Sequence, residues 1–370
     1  MTSANHRGSH LPILRYFIYQ IAKITAVIGG GFYATVLACA YAVLGVRKLG
    51  SNSSSVQPAA AAKTEVAAAA KPATAQAPAK PFSDSTVKGL RKAFVGATLL
   101  SIVTARSAGL NGLATPLASI GMLLATFHNF VFGARLPKKF TKICHPLVTC
   151  TSLTWLNLKF LGMATGSALS LKGLIKTYKT GSKALGLSMG AGDLLLWCLS
   201  PAIVALACQM YERRQLMKEN MAELGAALGV STFGGLFGTA ALVRLLGLGA
   251  NPAVGLALLS RNITSALAMV SGSVLGADVC LTVSIAIITG LLGAWFGGSI
   301  LDKWGIQDPV ARGLAVGASS HGLGTAAIKD EKDAFPFAAI SMALTATIST
   351  VIVSIPAFKT ALLKIALGAP

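Results

Sequence analysis

The stretch Asp308-Pro-Val-Ala-Arg-Gly-Leu-Ala-Val-Gly-Ala-Ser-Ser-His-Gly-Leu-Gly-Thr-Ala-Ala-Ile328 decides the fold of this chain. It lies between two long apolar runs, 279–300 and 335–358, which places it at membrane depth. Its centre, 319–325, holds two glycines, three hydroxyls and an imidazole, a poor helix interior because each glycine costs about 1 kcal/mol relative to alanine. Irregular backbone survives in a membrane only where protein encloses it or where it lines a wet cavity. The stretch therefore predicts a broken helix, which between spans is typical of a transport site.

The composition is that of a membrane protein along its whole length. Apolar residues make up 54% of the chain, charged residues only 12%, and the mean hydropathy is +0.67, whereas soluble domains carry about 25% charged residues. The net charge of +20 comes largely from basic clusters beside apolar runs, at 135–142, 172–183 and 213–218. Such clusters hold loops against anionic lipid surfaces. Membrane lipid is therefore a predicted partner, and nucleic acid is not.

Nine apolar runs in the second part of the chain are each near the length that crosses a bilayer. They lie near 89–106, 112–134, 145–163, 193–211, 222–247, 253–272, 279–300, 311–328 and 335–358. We predict an all-α polytopic membrane protein with broken helices, with two inverted repeats as one option for its architecture. The breaks are expected near 260–265 and 319–325, close together near mid-membrane, because polar residues interrupt the apolar pattern there.

The chain begins with a hydrophobic segment, 1–49, which is interpreted as an anchor or a targeting sequence. Residues 50–87 are rich in alanine, proline and serine with almost no large apolar side chain. Such a segment cannot bury enough surface to fold, so it is predicted to be a disordered linker.

Two of the runs and a third segment near Pro201 hold the residues predicted to bind a substrate. Arg261 has the fork geometry that suits a carboxylate, and half-helices that meet at the midplane direct positive dipole ends into a shared cavity. His321 titrates near working pH, so it can hold a carboxylate as a cation or donate to a hydroxyl when neutral. Pro201 removes a backbone donor and kinks its helix. The predicted substrate-binding residues are Pro201, Arg261, Asn262, Thr264, Ser265, Ser319, Ser320, His321, Gly322, Gly324 and Thr325.

The charged residues among them have plainer structural alternatives. Arg261 is equally compatible with a side chain that reaches the membrane surface or neutralises Asp278. His321 is equally compatible with a brace that joins two broken helices by hydrogen bonds. Asp193 precedes an apolar run, where a carboxylate caps a helix start more often than it binds an ion.

Other polar and small residues are interpreted structurally. The glycines interpreted as close-packing contacts are Gly234, Gly235 and Gly238. The charges interpreted as solvated loop residues are Asp302, Asp308 and those of 329–333. The sequence contains no P-loop, HExxH or GxSxG motif and no convincing pair of carboxylates for acid–base chemistry. We therefore predict that the protein is not an enzyme, with no catalytic residue, no metal site and no cofactor.

Three motifs carry a resemblance to the LrgB (CidB) family. The stretch from Asp308 to Ala326 resembles the family signature, and Ser200-Pro-Ala-Ile-Val-Ala-Leu-Ala207 resembles a second motif. The third, Leu259-Ser-Arg-Asn-Ile-Thr-Ser-Ala-Leu-Ala268, has Ser260 in place of the usual proline and Asn262 in place of the usual serine or cysteine. Matches to the plastid-type members are His145-Pro-Leu-Val-Thr-Cys-Thr151, Gly190-Ala-Gly-Asp193 and Phe335-Pro-Phe-Ala-Ala-Ile340.

The resemblance implies a domain organisation and a function. It gives an LrgB-like transporter domain at 141–362 and, at 88–140, short divergent helices similar to the LrgA half that is fused in plant members. It implies two inverted repeats, and in the sequence 194–207 and 314–327 are the candidates for corresponding places in them. Plant members imply a plastid inner-envelope carrier that exchanges glycolate and glycerate during photorespiration, and a host without a plastid implies another membrane.

Three functions remain in competition at this point. The first is a carrier for small 2-hydroxy monocarboxylates, whose partners are the carboxylate, lipid and, as one option, a second copy in a homodimer. The second is a holin-like pore or regulator of the type tied to murein hydrolase export, as bacterial members are described. The third is a structural membrane subunit. Two polar, glycine-broken segments that carry an arginine and a histidine favour the carrier, because a pore of simple helices has no use for them.

Overall fold

The computed structural model describes residues 10–51, 82–107, 111–137, 140–141, 144–182 and 188–368. Throughout these residues the regular structure is helical, without a strand, so the predicted all-α class is confirmed. Most of the predicted linker, 50–87, falls on 52–81 and lies outside the described residues.

The helices are numbered in chain order. The first seven are α1 (His10–Ser51), α2 (Asp84–Arg106), α3 (Asn111–Arg135), α4 (Pro146–Ala164), α5 (Leu171–Tyr178), α6 (Ala191–Trp197) and α7 (Leu199–Glu212). Then follow α8 (Arg214–Glu219), α9 (Met221–Gly229), a π-helical segment (Val230–Gly238), α10 (Thr239–Leu245), a 3-10 turn (Leu248–Ala250), α11 (Pro252–Leu259), α12 (Ser265–Leu275), α13 (Val279–Lys303), α14 (Pro309–Ala327), α15 (Phe335–Ser354) and α16 (Pro356–Leu367).

The chain forms two compact units. The first combines Met1–Gln57 with Leu206–Pro370, and the second is Pro58–Ala205. In the second unit α3 packs against α2 and α4, and Arg135 pairs with Asp84. The short α5 docks there by placing Leu174 against Gly162 of α4.

Five helices in the described part of the chain are long and apolar enough to cross a membrane. They are Ile18–Gly50 of α1, Gly112–Arg135 of α3, the continuous helix Met221–Leu245 that joins α9 to α10, α13 and α15. Four of the five belong to the first unit, which holds most of the residues predicted to bind a substrate.

The two ends of helix α1 contact different parts of the first unit, so they define two levels at which the other helices begin and end. Lys23 lies beside Gly247, in the turn after α10. Arg47, 24 positions later, pairs with Glu223 in the first turn of α9 and with Asp308, the N-cap of α14. We call these two levels the Lys23 end and the Arg47 end. The helix Met221–Leu245 therefore runs from the Arg47 end to the Lys23 end, and α13 runs back.

The segment 309–327, hairpin 2, enters and leaves at the Arg47 end. At its entry Arg312 bonds Glu331, which follows the hairpin, at 2.8 and 2.9 Å. The Ala338 carbonyl of α15 contacts both limbs, since it accepts from Thr325 at 3.5 Å and a Cβ on Gly317 would overlap it. The chain has therefore reversed between these two positions.

The segment 252–275, hairpin 1, enters and leaves at the Lys23 end. It follows α10 through a short turn at that end, and its last residues lead directly into α13 through Gly276 and the N-cap Asp278. The limbs α11 and α12 have 8 and 11 residues, which at 1.5 Å per residue gives about 12 and 16 Å. These lengths are close to half of a bilayer core of about 30 Å, and neither limb can cross it.

The two tips meet at the middle of the long helices. Tip 1, residues 260–264, contacts Gly31 and Thr35 near the middle of α1 and Ser231 near the middle of Met221–Leu245. Tip 2, at His321, bonds the carbonyl of Ala286 in α13. Because Ala286 packs in one apolar cluster with Ile263 of tip 1, both predicted breaks exist, and they lie close together.

This arrangement corrects two expectations. The runs 253–272 and 311–328 are half-depth hairpins rather than spans, because their polar centres reverse the chain. The counterpart of hairpin 2 within the first unit is hairpin 1, rather than 194–207, the candidate that the sequence suggested. The helix Met221–Leu245 is followed by hairpin 1, and α13, which runs in the opposite direction, is followed by hairpin 2. This is the inverted repetition that the sequence analysis gave as one option.

Separate apolar cores enclose the two hairpins. Around hairpin 2, Leu314 and Val316 pack with Phe32 and Val36 of α1. Around hairpin 1, Leu258 and Leu259 pack in the cluster that holds Val27 of α1. Since α1 contributes to both cores, the predicted N-terminal anchor is an integral part of the first unit.

The re-entrant course of hairpin 2 predicts the outcome of a labelling experiment. On a background without exposed native cysteines, Gln307→Cys and Lys332→Cys should react with an impermeant maleimide from the same side of sealed vesicles. Asn251→Cys, at the Lys23 end, should react only from the other side. All three native residues are exposed. Labelling of positions 307 and 332 from opposite sides would show that the segment spans.

Candidate functional site

Tip 1 breaks the helix because its residues suit caps and turns better than a helix interior. Helix α11 begins at Pro252, in the first helical position, and stops at Leu259, with Ser260 as the C-cap. Thr264 is the N-cap of α12. Serine, asparagine and threonine offer the backbone local hydrogen bonds that compete with the helix. Arg261 and Asn262 are thereby presented at mid-depth, in the centre of the turn.

Arg261 is buried, with 2% of its surface exposed, and anchors tip 1 to two helices. Its Nε donates to the Thr239 hydroxyl at 3.0 Å. Its Nη2 donates to the Gly31 carbonyl and to the Thr35 hydroxyl, both at 2.9 Å. Its Nη1 finds no hydrogen-bond partner among the described residues. One edge of the guanidinium is therefore structural, and one buried nitrogen is left without a partner in the described chain.

The charge of Arg261 has no acidic partner within the described part of the chain. The alternative partner, Asp278, instead caps α13 by accepting from the Leu281 N–H at 2.7 Å. The side chain does not reach the membrane surface either, since its partners lie at mid-depth. A buried cation held only by neutral acceptors carries a desolvation cost of several kcal/mol that a bound anion offsets.

Asn262 is 1% exposed and points toward the Met221–Leu245 helix. Its Nδ2 donates to the Ser231 carbonyl at 3.0 Å, whereas its Oδ1 has no partner within the described chain. The approach requires a glycine at position 235, because a Cβ there would lie 2.7 Å from Nδ2. The close-packing interpretation is right for Gly235 and wrong for Gly238, which faces open space.

His321 makes the reversal in hairpin 2. Its φ of 43° and ψ of −143° lie outside the helical region, inside an otherwise helical stretch. A non-glycine residue in such a conformation costs about 1–3 kcal/mol, so surrounding contacts must hold it. Its Nε2 lies 2.7 Å from the Ala286 carbonyl, and since a carbonyl only accepts, Nε2 is the donor. His321 therefore braces tip 2 against α13.

Among the remaining predicted residues of hairpin 2, the two serines are engaged within the hairpin, whereas Thr325 bonds α15. The Ser319 hydroxyl donates to the Ala315 carbonyl at 2.7 Å, and the Ser320 hydroxyl donates to the Val316 carbonyl at 2.6 Å. Both serines are fully buried. Gly324 permits the return limb to pack on Ser320, because a Cβ there would overlap that side chain. At the tip, Gly322 is half-buried.

Thr264 and Ser265 are half-buried at the start of α12. They expose the N-terminal turn of an 11-residue helix at mid-depth. Free N–H groups and the positive end of the helix dipole favour an anion at such a position. Pro201, by contrast, lies exposed in the first turn of α7, in the second unit.

Asp193 caps a helix and closes a loop, as the structural alternative predicts. Its carboxylate accepts from Thr180 N and Oγ1 at 2.7 Å, and from Gly181 N and Gly190 N at 3.0 Å. Burial alone would raise its pKa, but these donors together outweigh burial and hold the pKa below its ordinary value.

Sequence reasoning missed an ionic cluster at the Arg47 end. Arg312 bonds Glu331 and also donates from Nη1 to Asp302 at 2.7 Å. Asp302, Asp308 and Glu331 are therefore ion-pair partners rather than solvated loop charges. No spacing in the sequence signals this cluster, since only the return of hairpin 2 brings Glu331 beside Arg312.

A cavity of about 260 Å³ lies elsewhere, within the second unit. Its wall is formed mainly by small, hydroxyl-bearing and apolar side chains, among them Ser101, Thr115, Ser119, Met122, Leu158 and Tyr178. It contains none of the predicted substrate-binding residues. Because no charged side chain among the described residues lines it, it does not suit a carboxylate, and the tips of the first unit remain the candidate site.

Comparisons with known proteins agree on one family. A profile described as the LrgB-like family matches residues 126–358. The plastidal glycolate/glycerate translocator 1, chloroplastic, of Arabidopsis thaliana is 33% identical over 346 residues, which cover 93% of this chain and 62% of that protein. The holin-like protein CidB of Staphylococcus aureus (strain N315) is 28% identical over 235 residues, which cover 63% of this chain and 93% of CidB. This chain therefore spans less than two thirds of the plant relative. No solved structure matches it.

Two neighbouring glycines of α1 provide a matched test of the Arg261 anchor. A Cβ at position 31 would lie 2.8 Å from Arg261 Cζ, whereas nothing lies within 4 Å of one at position 30. Gly31→Ala should lower the stability of purified protein by about 1–3 kcal/mol through overpacking. Gly30→Ala should be neutral or stabilise by up to about 1 kcal/mol. Thermal unfolding in detergent measures both, and equal melting temperatures would contradict the tight contact.

Asp193 predicts an acid-sensitive contribution to stability. Since its folded pKa is lowered, its contribution is present above the unfolded value of about 3.9 and is lost as pH falls through the folded pKa. Asp193→Asn places an amide donor among four donors and should cost about 1–3 kcal/mol at neutral pH. Melting temperatures between about pH 3 and 7 test this, and an equally steep acid dependence in the variant would refute the assignment.

Proposed function

Because the chain belongs to the LrgB-like family, we propose that it carries small 2-hydroxy monocarboxylates across a membrane and exchanges glycolate for glycerate. It is an integral membrane protein, and a transport or holin-like role is the coarser conclusion that its relatives support. Neither relative is named as an enzyme, and we propose that this chain is not one either.

The observation that carries the proposal is the buried Arg261 guanidinium. It lies at mid-depth without an acidic partner in the described chain, and its Nη1 is unpartnered there. A small carboxylate supplies both the missing charge and the missing acceptor. Arginine suits this ligand better than lysine because its planar fork matches the two oxygens.

The start of α12 supports the same ligand. Thr264 and Ser265 are only half-buried, so the first turn of the helix is accessible beside Arg261. The positive end of the helix dipole and the positive charge of the guanidinium reinforce each other, and both favour an anion. The hydroxyls of these two residues provide donors and acceptors of the kind that recognise a hydroxy acid.

The opposed hairpins suit alternating access. Hairpin 1 closes the site from the Lys23 end, and hairpin 2 closes it from the Arg47 end. Movement of one hairpin at a time opens the same central site to one side and then to the other, as in carriers with inverted repeats. A permanent pore has no need for two separate barriers.

We propose the plastid inner envelope as the membrane where the host has a plastid, and another cellular membrane otherwise. The support is the name of the plant relative, which places that protein in the chloroplast. In a plastid, exchange of glycolate for glycerate serves photorespiration.

A holin-like pore is the second candidate. The specific observation that favours it is the match to CidB, which covers 93% of that protein. A pore passes unrelated solutes without saturation, whereas a carrier saturates and is accelerated by substrate on the other side. Uptake of labelled glycolate into proteoliposomes, with and without internal glycerate, separates the two. Non-saturable uptake, with equal leak of an unrelated sugar, would refute the carrier.

Arg261→Lys tests the residue that we propose to bind the carboxylate. Lysine keeps the charge but loses the fork, so the apparent affinity for glycolate should fall about ten-fold or more. Arg244→Lys is the matched control, because Arg244 is exposed at the end of α10. Unchanged affinity in correctly folded Arg261→Lys protein would reduce Arg261 to a structural anchor.

A further inference from the structure

We propose that Asn262 reads the 2-hydroxyl of the substrate, so that the site selects 2-hydroxy acids over 2-oxo acids. This inference rests on the proposed carrier function and names the residue that sets the substrate class. Its basis is a buried acceptor and a buried donor on consecutive residues of tip 1, neither of which has a partner among the described residues.

The orientation of the Asn262 amide is set by its surroundings. Its Nδ2 donates to the Ser231 carbonyl at 3.0 Å. Rotating the amide by half a turn would place Oδ1 against that carbonyl, and two acceptors repel each other. The oxygen is therefore the group left free. Because an amide oxygen only accepts, whatever binds it must bring a donor.

Burial makes this free acceptor informative. Asn262 is 1% exposed, and a buried polar atom left unpaired is destabilising, so native structures seldom retain one without a function or a bound partner. A 2-hydroxy acid offers an O–H donor to Oδ1, whereas the carbonyl of a 2-oxo acid offers only lone pairs. The site thus gains a hydrogen bond with one class and a repulsive contact with the other.

The available donor lies next in the chain. Arg261 and Asn262 both lie against one face of the Met221–Leu245 helix, where Ser231, Gly235 and Thr239 recur at intervals of four. The Nη1 of Arg261 and the Oδ1 of Asn262 have no partner among the described residues, so consecutive residues of tip 1 offer a donor and an acceptor. A carboxylate and a hydroxyl on adjacent carbons present the complementary pair.

A bound water is the competing explanation. Ser260 Oγ is also without a partner in the described residues, and a buried water satisfies two to four such groups. If a water at tip 1 bonded Oδ1 of Asn262, the hydroxyl of the substrate would make no hydrogen bond to that oxygen. Such a water would therefore produce no discrimination between hydroxy and oxo acids that depends on Asn262.

Lactate and pyruvate distinguish these explanations, because they have the same number of heavy atoms and differ in hydroxyl against carbonyl. In proteoliposomes loaded with labelled glycolate, each acid is titrated as the external exchange substrate, with propionate as the acid that lacks both groups. Wild type should prefer lactate over pyruvate by about ten- to a hundred-fold in apparent affinity. Asn262→Ala should bring the two acids to within about three-fold.

The measured quantity is the ratio of the apparent affinities for lactate and pyruvate, because a partial loss of folded protein affects the exchange of both acids equally. Ser349→Ala is the control, since Ser349 Oγ, on α15, is another buried oxygen without a partner among the described residues. It should keep the wild-type ratio. If Asn262→Ala does not fold, the test is the melting temperature of wild-type protein with each acid. Lactate should raise this temperature more than pyruvate at equal concentration.

The outcomes separate this inference from the proposed function. Saturable exchange with the same lactate-to-pyruvate ratio in wild type and Asn262→Ala overturns the role of Asn262 and leaves the carrier intact. Equal stabilisation of wild type by the two acids overturns it as well. Absence of saturable exchange of any acid in wild type overturns the carrier and this inference with it.

Discussion

The first unit depends on one constraint: backbone that stops at half depth in a membrane must find its hydrogen-bond partners within the protein. Four long helices enclose the two tips and provide those partners. Arg261 ties tip 1 to α1 and α10, and His321 ties tip 2 to α13. The positive φ of His321 occurs in a buried side chain whose ring bonds the Ala286 carbonyl. The hairpins and the helices around them are therefore stable only together.

The two hairpins are closed in chemically different ways. Arg312 fastens both limbs of hairpin 2 to the end of α13 through Glu331 and Asp302. Arg47 links the same region to α1. At the Lys23 end, hairpin 1 is held mainly by apolar packing in the cluster that contains Leu258 and Leu259. Ion pairs near a surface are broken and remade at low cost, whereas apolar packing is lost in proportion to the area exposed. The ends of the unit therefore present barriers of different kinds to a substrate.

The candidate site joins structural and chemical demands in the same side chains. Arg261 uses three hydrogen bonds to position itself, so the orientation of its free nitrogen is fixed before any ligand arrives. Such preorganisation lowers the entropic cost of binding. Ser319 and Ser320, in contrast, use their hydroxyl donors within their own helix, so these donors are not left for a ligand. The sequence marks all these residues as polar within apolar runs, but polarity does not tell which groups are engaged within the fold and which remain available.

Local rules were enough to predict the helical class, the membrane environment and the positions of both breaks. Apolar length predicts spans, while the polar residues at 260–265 and the glycine and hydroxyl residues at 319–325 predict interruptions. Long-range packing, which local rules do not describe, makes the interrupted segments turn back, lets them enter from opposite ends and brings Arg261 to Gly31. It also brings Arg312 to Glu331, across a reversal that no local pattern encodes. The physical reason is that a break in a helix leaves its exit direction open, and long-range packing against α1, α13 and α15 selects one direction.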